Sequence, residues 1–158
     1  MQDNTTSQVN TGKTQPSIQE QESNQNLLFG IIGGIIAAAI GAIIWALITA
    51  WTNFQIGWMA VGVGFLVGFA VRICGKGISI KFGIIGAVLA VLGCLAGNLL
   101  AVCIVASKDL GVSLFDVLSV LNFSIIIEIF KETFSPIDLL FYAIAIYEGY
   151  RFSFKQMK

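Results

Sequence analysis

Four long apolar stretches, residues 27–51, 56–74, 82–106 and 136–154, take up most of a 158-residue chain and leave little from which a water-excluded globular core could be built. A run of about 18 or more apolar residues covers the roughly 30 Å hydrocarbon core of a bilayer as a helix. Lipid offers no hydrogen bonds to the backbone, so such runs must satisfy their own peptide groups, as helices do. With 56 % hydrophobic and 11 % charged residues and a mean hydropathy of +0.85, the composition is that of a membrane protein. The expected fold class is all-α: a transmembrane four-helix bundle with an amphipathic helical segment between spans three and four.

The four stretches are unequal. Only Thr52, Asn53, Phe54 and Gln55 separate the first two, which makes them an antiparallel hairpin. The fourth is weak by hydropathy, and its start is marked instead by Ser135, Pro136 and Asp138, the residues of a helix cap. Extended to residue 154 it would be ~28 Å long. Between spans three and four, Ser113, Asp116, Ser119 and Asn122 recur at steps of three among apolar residues. This pattern predicts short helices over about 112–133 that lie in the outer interface, with a re-entrant segment as the alternative. Residues 1–26, dominated by Gln, Asn, Ser and Thr, read as a disordered tail, and the transmembrane domain as 27–158.

Short loops rich in Lys and Arg stay in the cytoplasm. Arg72, Lys76 and Lys81 flank the second connection, and Arg151, Lys155 and Lys158 close the chain, whereas the segment after span three carries two basic residues against four acidic ones. Four crossings put both basic regions on one side, so both termini are expected in the cytoplasm. Trp51 and Trp58 then mark the outer interface.

Small residues recur every four positions within the spans: Gly30, Gly34 and Ala38 in the first, Gly64 and Gly68 in the second, Gly93 and Gly97 in the third. Membrane helices associate through close backbone approach, which such stripes permit. The strongly polar residues within the spans are few, and each requires a partner or a cavity. Asn98 in span three reads as an interhelical hydrogen bond. Asp138 and Glu148 lie in span four, with Glu148 ~15 Å deeper along the helix, and Glu148 is expected to clamp to Arg72 or Arg151.

The chain contains no histidine, and its three cysteines form no CxxC pair, so no metal site or cofactor is expected. No nucleophile is accompanied by a base, and the Cys74-Gly75-Lys76-Gly77 turn lacks the other positions of a phosphate-binding loop. A net charge of zero gives no field for nucleic acid.

The segments AVGVGFLVGFAVRICGKG (60–77), FGIIGAVLAVLGCLAGN (82–98) and SPIDLLFYAIAIYEGYRF (135–152) resemble a group of uncharacterised bacterial multi-pass membrane proteins. The resemblance implies a bacterial cytoplasmic membrane protein and brings no activity or site residues with it. The small multidrug exporters share the four-span plan, but the acid of their first helix is missing here. The expected partners are the lipid bilayer and either further copies of the chain or another protein. The expected role is that of a non-enzymatic membrane component, with a small transporter or channel subunit lined by Asn98 or Glu148 as the alternative.

Overall fold

The protein is described by a computed structural model covering residues 25–52 and 57–155. All regular structure among them is helical: α1 (Leu27–Thr52), α2 (Trp58–Gly75), α3 (Ile80–Leu110), α4 (Leu114–Val120), α5 (Phe123–Thr133) and α6 (Pro136–Phe152). Helices α1, α2 and α3 are long and apolar enough to cross a membrane. Helix α6 has 17 residues and measures about 25 Å. Apart from residues 25 and 26, the tail expected over 1–26 lies outside the described residues, as does most of the connection between α1 and α2.

Helices α2 and α3 form a central pair. α1 packs across one side of it and α6 across the other, and α1 and α6 do not touch among the described residues. Glycine contacts fix the directions. Gly30 at the start of α1 lies against Gly75 at the end of α2 and Phe82 at the start of α3, so α1 is antiparallel to α2 and parallel to α3. On the other side, Gly64 of α2 meets Ala145 and Gly68 meets Phe152, so α6 runs parallel to α2. Gln25, the 75–79 turn and Lys155 therefore share one end of the bundle.

Helix α1 sorts its residues by size. Gly33, Gly34, Ala37, Ala38, Gly41, Ala42, Ala46 and Ala50 are buried, while Ile35, Ile36, Ile40, Ile43, Ile44 and Leu47 are exposed. The pairs 33/34, 37/38 and 41/42 make two adjacent stripes. Gly33 and Gly41 face Cys74 and Val63 of α2, and the Gly34 stripe faces α3, where Ala38 meets Gly93 and Ala42 meets Gly97. Trp45, 4 % exposed against Gly97, is the large side chain on the inner face. Elsewhere, large apolar side chains outside and small ones inside suit an apolar solvent, in which packing rather than expulsion from water joins the helices.

The ends are capped by sequence-local devices. The Ser113 amide donates to Asp116 at 3.2 Å and the Ser135 amide to Asp138 at 2.8 Å. Asn122 caps α5 by accepting from the Ile125 amide at 2.9 Å. Gly111 ends α3 at φ 65°, and the amides of Gly111 and Val112 return to Lys108 and Ser107 in a Schellman arrangement. Helix α2 ends the same way, except that Lys76 holds the left-handed position at φ 49°.

Gln25 and Asn26 belong to the folded unit, which moves the expected tail boundary back. The Asn26 amide donates to the Gly75 carbonyl at 3.0 Å, and Gln25 Oε1 accepts from the Ile78 and Ser79 amides, each at 3.2 Å. The Lys155 amide donates to the Gly77 carbonyl at 2.9 Å. At the opposite end, α4 and α5 bury no residue, and Phe115 and Phe123 are 81 % and 78 % exposed.

Candidate functional site

The polar side chains gather at the two ends of the bundle, and the residues between them are apolar. At the α4–α5 end, an open cavity of about 330 Å³ lies along α1 and α3, lined by Thr49, Asn98 and Asp109 with Ala101, Val102, Val105 and Ala106. Thr49 and Asn98 are 8 % and 3 % exposed, whereas Asp109 stands in the open. Trp45 Nε1, Thr49 Oγ1 and Tyr142 Oη are buried without a hydrogen-bond partner among the described residues. Tyr142 of α6 lies beside the Asn98 amide, outside good hydrogen-bond geometry, and Asn98 is engaged within the protein. Above the cavity, Lys108 Nζ donates to the Ala50 carbonyl at 3.1 Å, which ties the end of α1 to α3. A cation at a helix C-terminus meets both the unpaired carbonyls and the negative pole of the dipole.

At the other end lie Arg72, Lys76, Lys81, Arg151, Lys155 and the acid Glu148. The clamp expected between Glu148 and Arg72 or Arg151 does not form: no ion pair joins described residues. Arg151 turns back along its own helix, where Nη1 donates to Tyr147 Oη at 2.8 Å and the guanidinium lies 5.7 Å from the Tyr147 ring centroid. The Glu148 residue packs on α2, with its carbonyl against Gly68.

The 75–79 turn has no amide to offer a phosphate. Both the Lys76 and the Gly77 amides bond the Arg72 carbonyl, and those of Ile78 and Ser79 are taken by Gln25.

From Gly86, beside Gly149, to Asn98 is 12 residues of α3, or about 18 Å. This interval is filled by Val63, Val67, Ala90, Cys94 and Ala145, each 3 % exposed or less. The cavity beside Asn98 therefore does not extend to Glu148. Among the described residues no three His, Cys, Asp or Glu side chains are grouped so as to hold a metal. Cys94 and Cys103 are buried, unpaired thiols inside α3.

The structure brings Asn98 together with Thr49 and Asp109, neither of which the sequence reading singled out. Thr49 carried a usable signal, being the one hydroxyl on the buried stripes of α1. Gly30, Gly34, Ala38, Gly64, Gly68, Gly93 and Gly97 all lie at helix contacts. Gly33, Gly41, Gly75, Gly83, Gly86 and Gly149 do so too.

These features define a helical membrane protein with three membrane-capable helices, a closely packed core and separated polar ends. Comparison with known protein families, with curated proteins and with solved structures gave no match for the chain.

Proposed function

We propose that the chain is a four-span protein of the bacterial cytoplasmic membrane that performs no catalysis and acts by association, with further copies of itself or with a protein partner. The observation that carries this reading is the apolar interval between the two polar ends, packed at 0–3 % exposure, which closes the bundle as a conduit and leaves its outer surfaces for contact. Placing α6 as a fourth span is supported by its packing against α2 and α3 from Phe141 to Phe152 and by the return of Lys155 to the end that holds Gln25. Orientation is supported by charge. One end carries five described basic residues and one acid, while the other carries Lys108 and Lys131 against five acids, so the basic end faces the cytoplasm. Helices α4 and α5 then rest in the outer headgroup layer, with Phe115, Phe123 and Ile127 toward lipid.

Two measurements test this. Exposed Cys74 should react with a membrane-impermeant maleimide only after cells are opened, and a cysteine at Ser119 should react in intact cells; the reverse pattern overturns the orientation. In-membrane crosslinking followed by light scattering of the purified full chain should give a species larger than the monomer. A bare monomer with no bound protein overturns association.

The cavity beside Thr49, Asn98 and Asp109 favours a second reading, that of a small transporter or channel subunit open at its outer end. That reading requires the interval around Cys94 to become wet. Labelling of Cys94 by a water-soluble thiol reagent in membranes would favour it, and full protection would favour the associative role.

A further inference from the structure

Two adjoining apolar hollows, of about 280 and 400 Å³, run along the outer seam of α3 and α6 and share Ala87, Val88 and Ile146. One extends toward mid-helix at Leu92 and the other toward the basic end at Ile84 and Tyr150. From Ile84 to Leu92 the seam is about 12 Å long. Its α3 wall is exposed, with Ile84, Val88 and Leu92 at 53–55 %. Lys81 precedes Ile84 by three positions and Val88 by seven, so it lies on that same face and is exposed at the basic end. Across the seam, Arg151 stands one turn beyond Tyr147, exposed and hydrogen-bonded to its hydroxyl. Glu148, the acid at this end, is half-buried, with its backbone carbonyl against Gly68 of α2.

We propose that this seam is a binding site for an anionic phospholipid of the inner leaflet, with an acyl chain in the apolar groove and the phosphate between Lys81 and Arg151. The proposal rests on the reading that α3 and α6 lie in the bilayer with their basic end inward. A groove that is apolar along its length and flanked by cations at the headgroup level matches a charged lipid at both of its ends. The phosphate meets side chains alone, because the nearby turn has spent its amides on Arg72 and Gln25. A second copy is a poorer occupant. Copies in one membrane share an orientation, so a twofold contact along this seam would bring Lys81 and Arg151 of each protomer together at one depth.

The test is native mass spectrometry of the full chain in detergent, titrated with phosphatidylglycerol or with phosphatidylcholine of identical acyl chains. Phosphatidylglycerol should be retained preferentially, and the double variant Lys81→Gln/Arg151→Gln should weaken its binding about thirtyfold, toward that of phosphatidylcholine. The double variant Arg72→Gln/Lys76→Gln, equal in charge but off the seam, should keep the preference. Ala87→Phe, which fills the groove, should weaken both lipids. Equal retention of the two lipids, undiminished phosphatidylglycerol in the Lys81/Arg151 variant, glycerol phosphate binding as tightly as the intact lipid, or a dimer abolished by Ala87→Phe would each overturn the site. The Cys74 labelling experiment reports separately on orientation, so a failed lipid site and a failed topology give different results.

Discussion

Gly86 of α3 and Gly149 of α6 occupy the same crossing, and each leaves no room for a side chain on the other. A Cβ on Gly149 would stand 2.7 Å from the Gly86 carbonyl oxygen, and a Cβ on Gly86 would overlap the Gly149 carbonyl and the Ser153 hydroxyl. The obstruction is backbone on both sides, so no rotamer change relieves it. Ser153, fully buried, donates to that same Gly149 carbonyl and locks the last turn of α6 onto α3.

Gly149→Ala should therefore destabilise the bundle by about 2 kcal/mol, within the range for overpacked sites. Unfolding in SDS against a mild detergent, followed by circular dichroism, gives the midpoint. Gly62 is the control. It has nothing within 4 Å of its would-be Cβ, and Gly62→Ala should leave stability unchanged or raise it by up to about 1 kcal/mol through helix propensity. Equal losses in the two variants would mean that the crossing is not tight.

Much of this architecture is legible in the residues, for a physical reason. The stripe of Gly30, Gly34 and Ala38 is repeated every four positions, so the α1–α3 contact shows as periodicity. Capping by Asp116 and Asp138 is local and equally visible. Gly149 is less so: with Ala145 and Ser153 it forms a weaker stripe of the same spacing, and its importance comes from Gly86, 63 positions away, which no local pattern names. The expected Glu148 clamp fails for a related reason. Spacing along α6 puts Arg151 within reach of Glu148, but the helix offers Tyr147 at i−4, where the guanidinium finds both a hydroxyl and a ring face. The cavity beside Asn98 depends on the lateral fit of α1 against α3, which no single segment encodes.

Lys76 holds a backbone conformation that side chains rarely adopt, φ 49°, at the end of α2. A left-handed residue with a Cβ carries a penalty of about 1 kcal/mol, which glycine lacks. Lys76→Gly should raise the unfolding midpoint accordingly. Lys76→Ala removes the same charge and keeps the Cβ, so it should give no gain. A gain shared by both variants would assign the effect to charge instead of backbone.

Gln25 closes the basic end from outside α1. Its Oε1 serves two amides at the approach to α3, and these lose their acceptor in Gln25→Ala. The expected loss is about 1 kcal/mol, as for other capping acceptors. Gln25→Glu keeps the acceptor and adds charge near a helix N-terminus, so it should match or exceed the native stability. Thermal unfolding of both variants decides whether the folded unit begins before Leu27.

Thr49 and Asn98 line one cavity, yet they should respond in opposite ways to loss of polarity. The Thr49 hydroxyl is buried with no partner among the described residues, so Thr49→Val removes an unsatisfied group while keeping the β-branched shape. Stability should be unchanged or should rise by up to about 1 kcal/mol. Asn98 is engaged within the protein, and Asn98→Leu forfeits that interaction at a cost of roughly 1 kcal/mol. Paired SDS-unfolding midpoints separate the two. A loss for Thr49→Val as large as that for Asn98→Leu would mean that the hydroxyl is held in the membrane by something bound in the cavity, and would turn the balance toward the transporter reading.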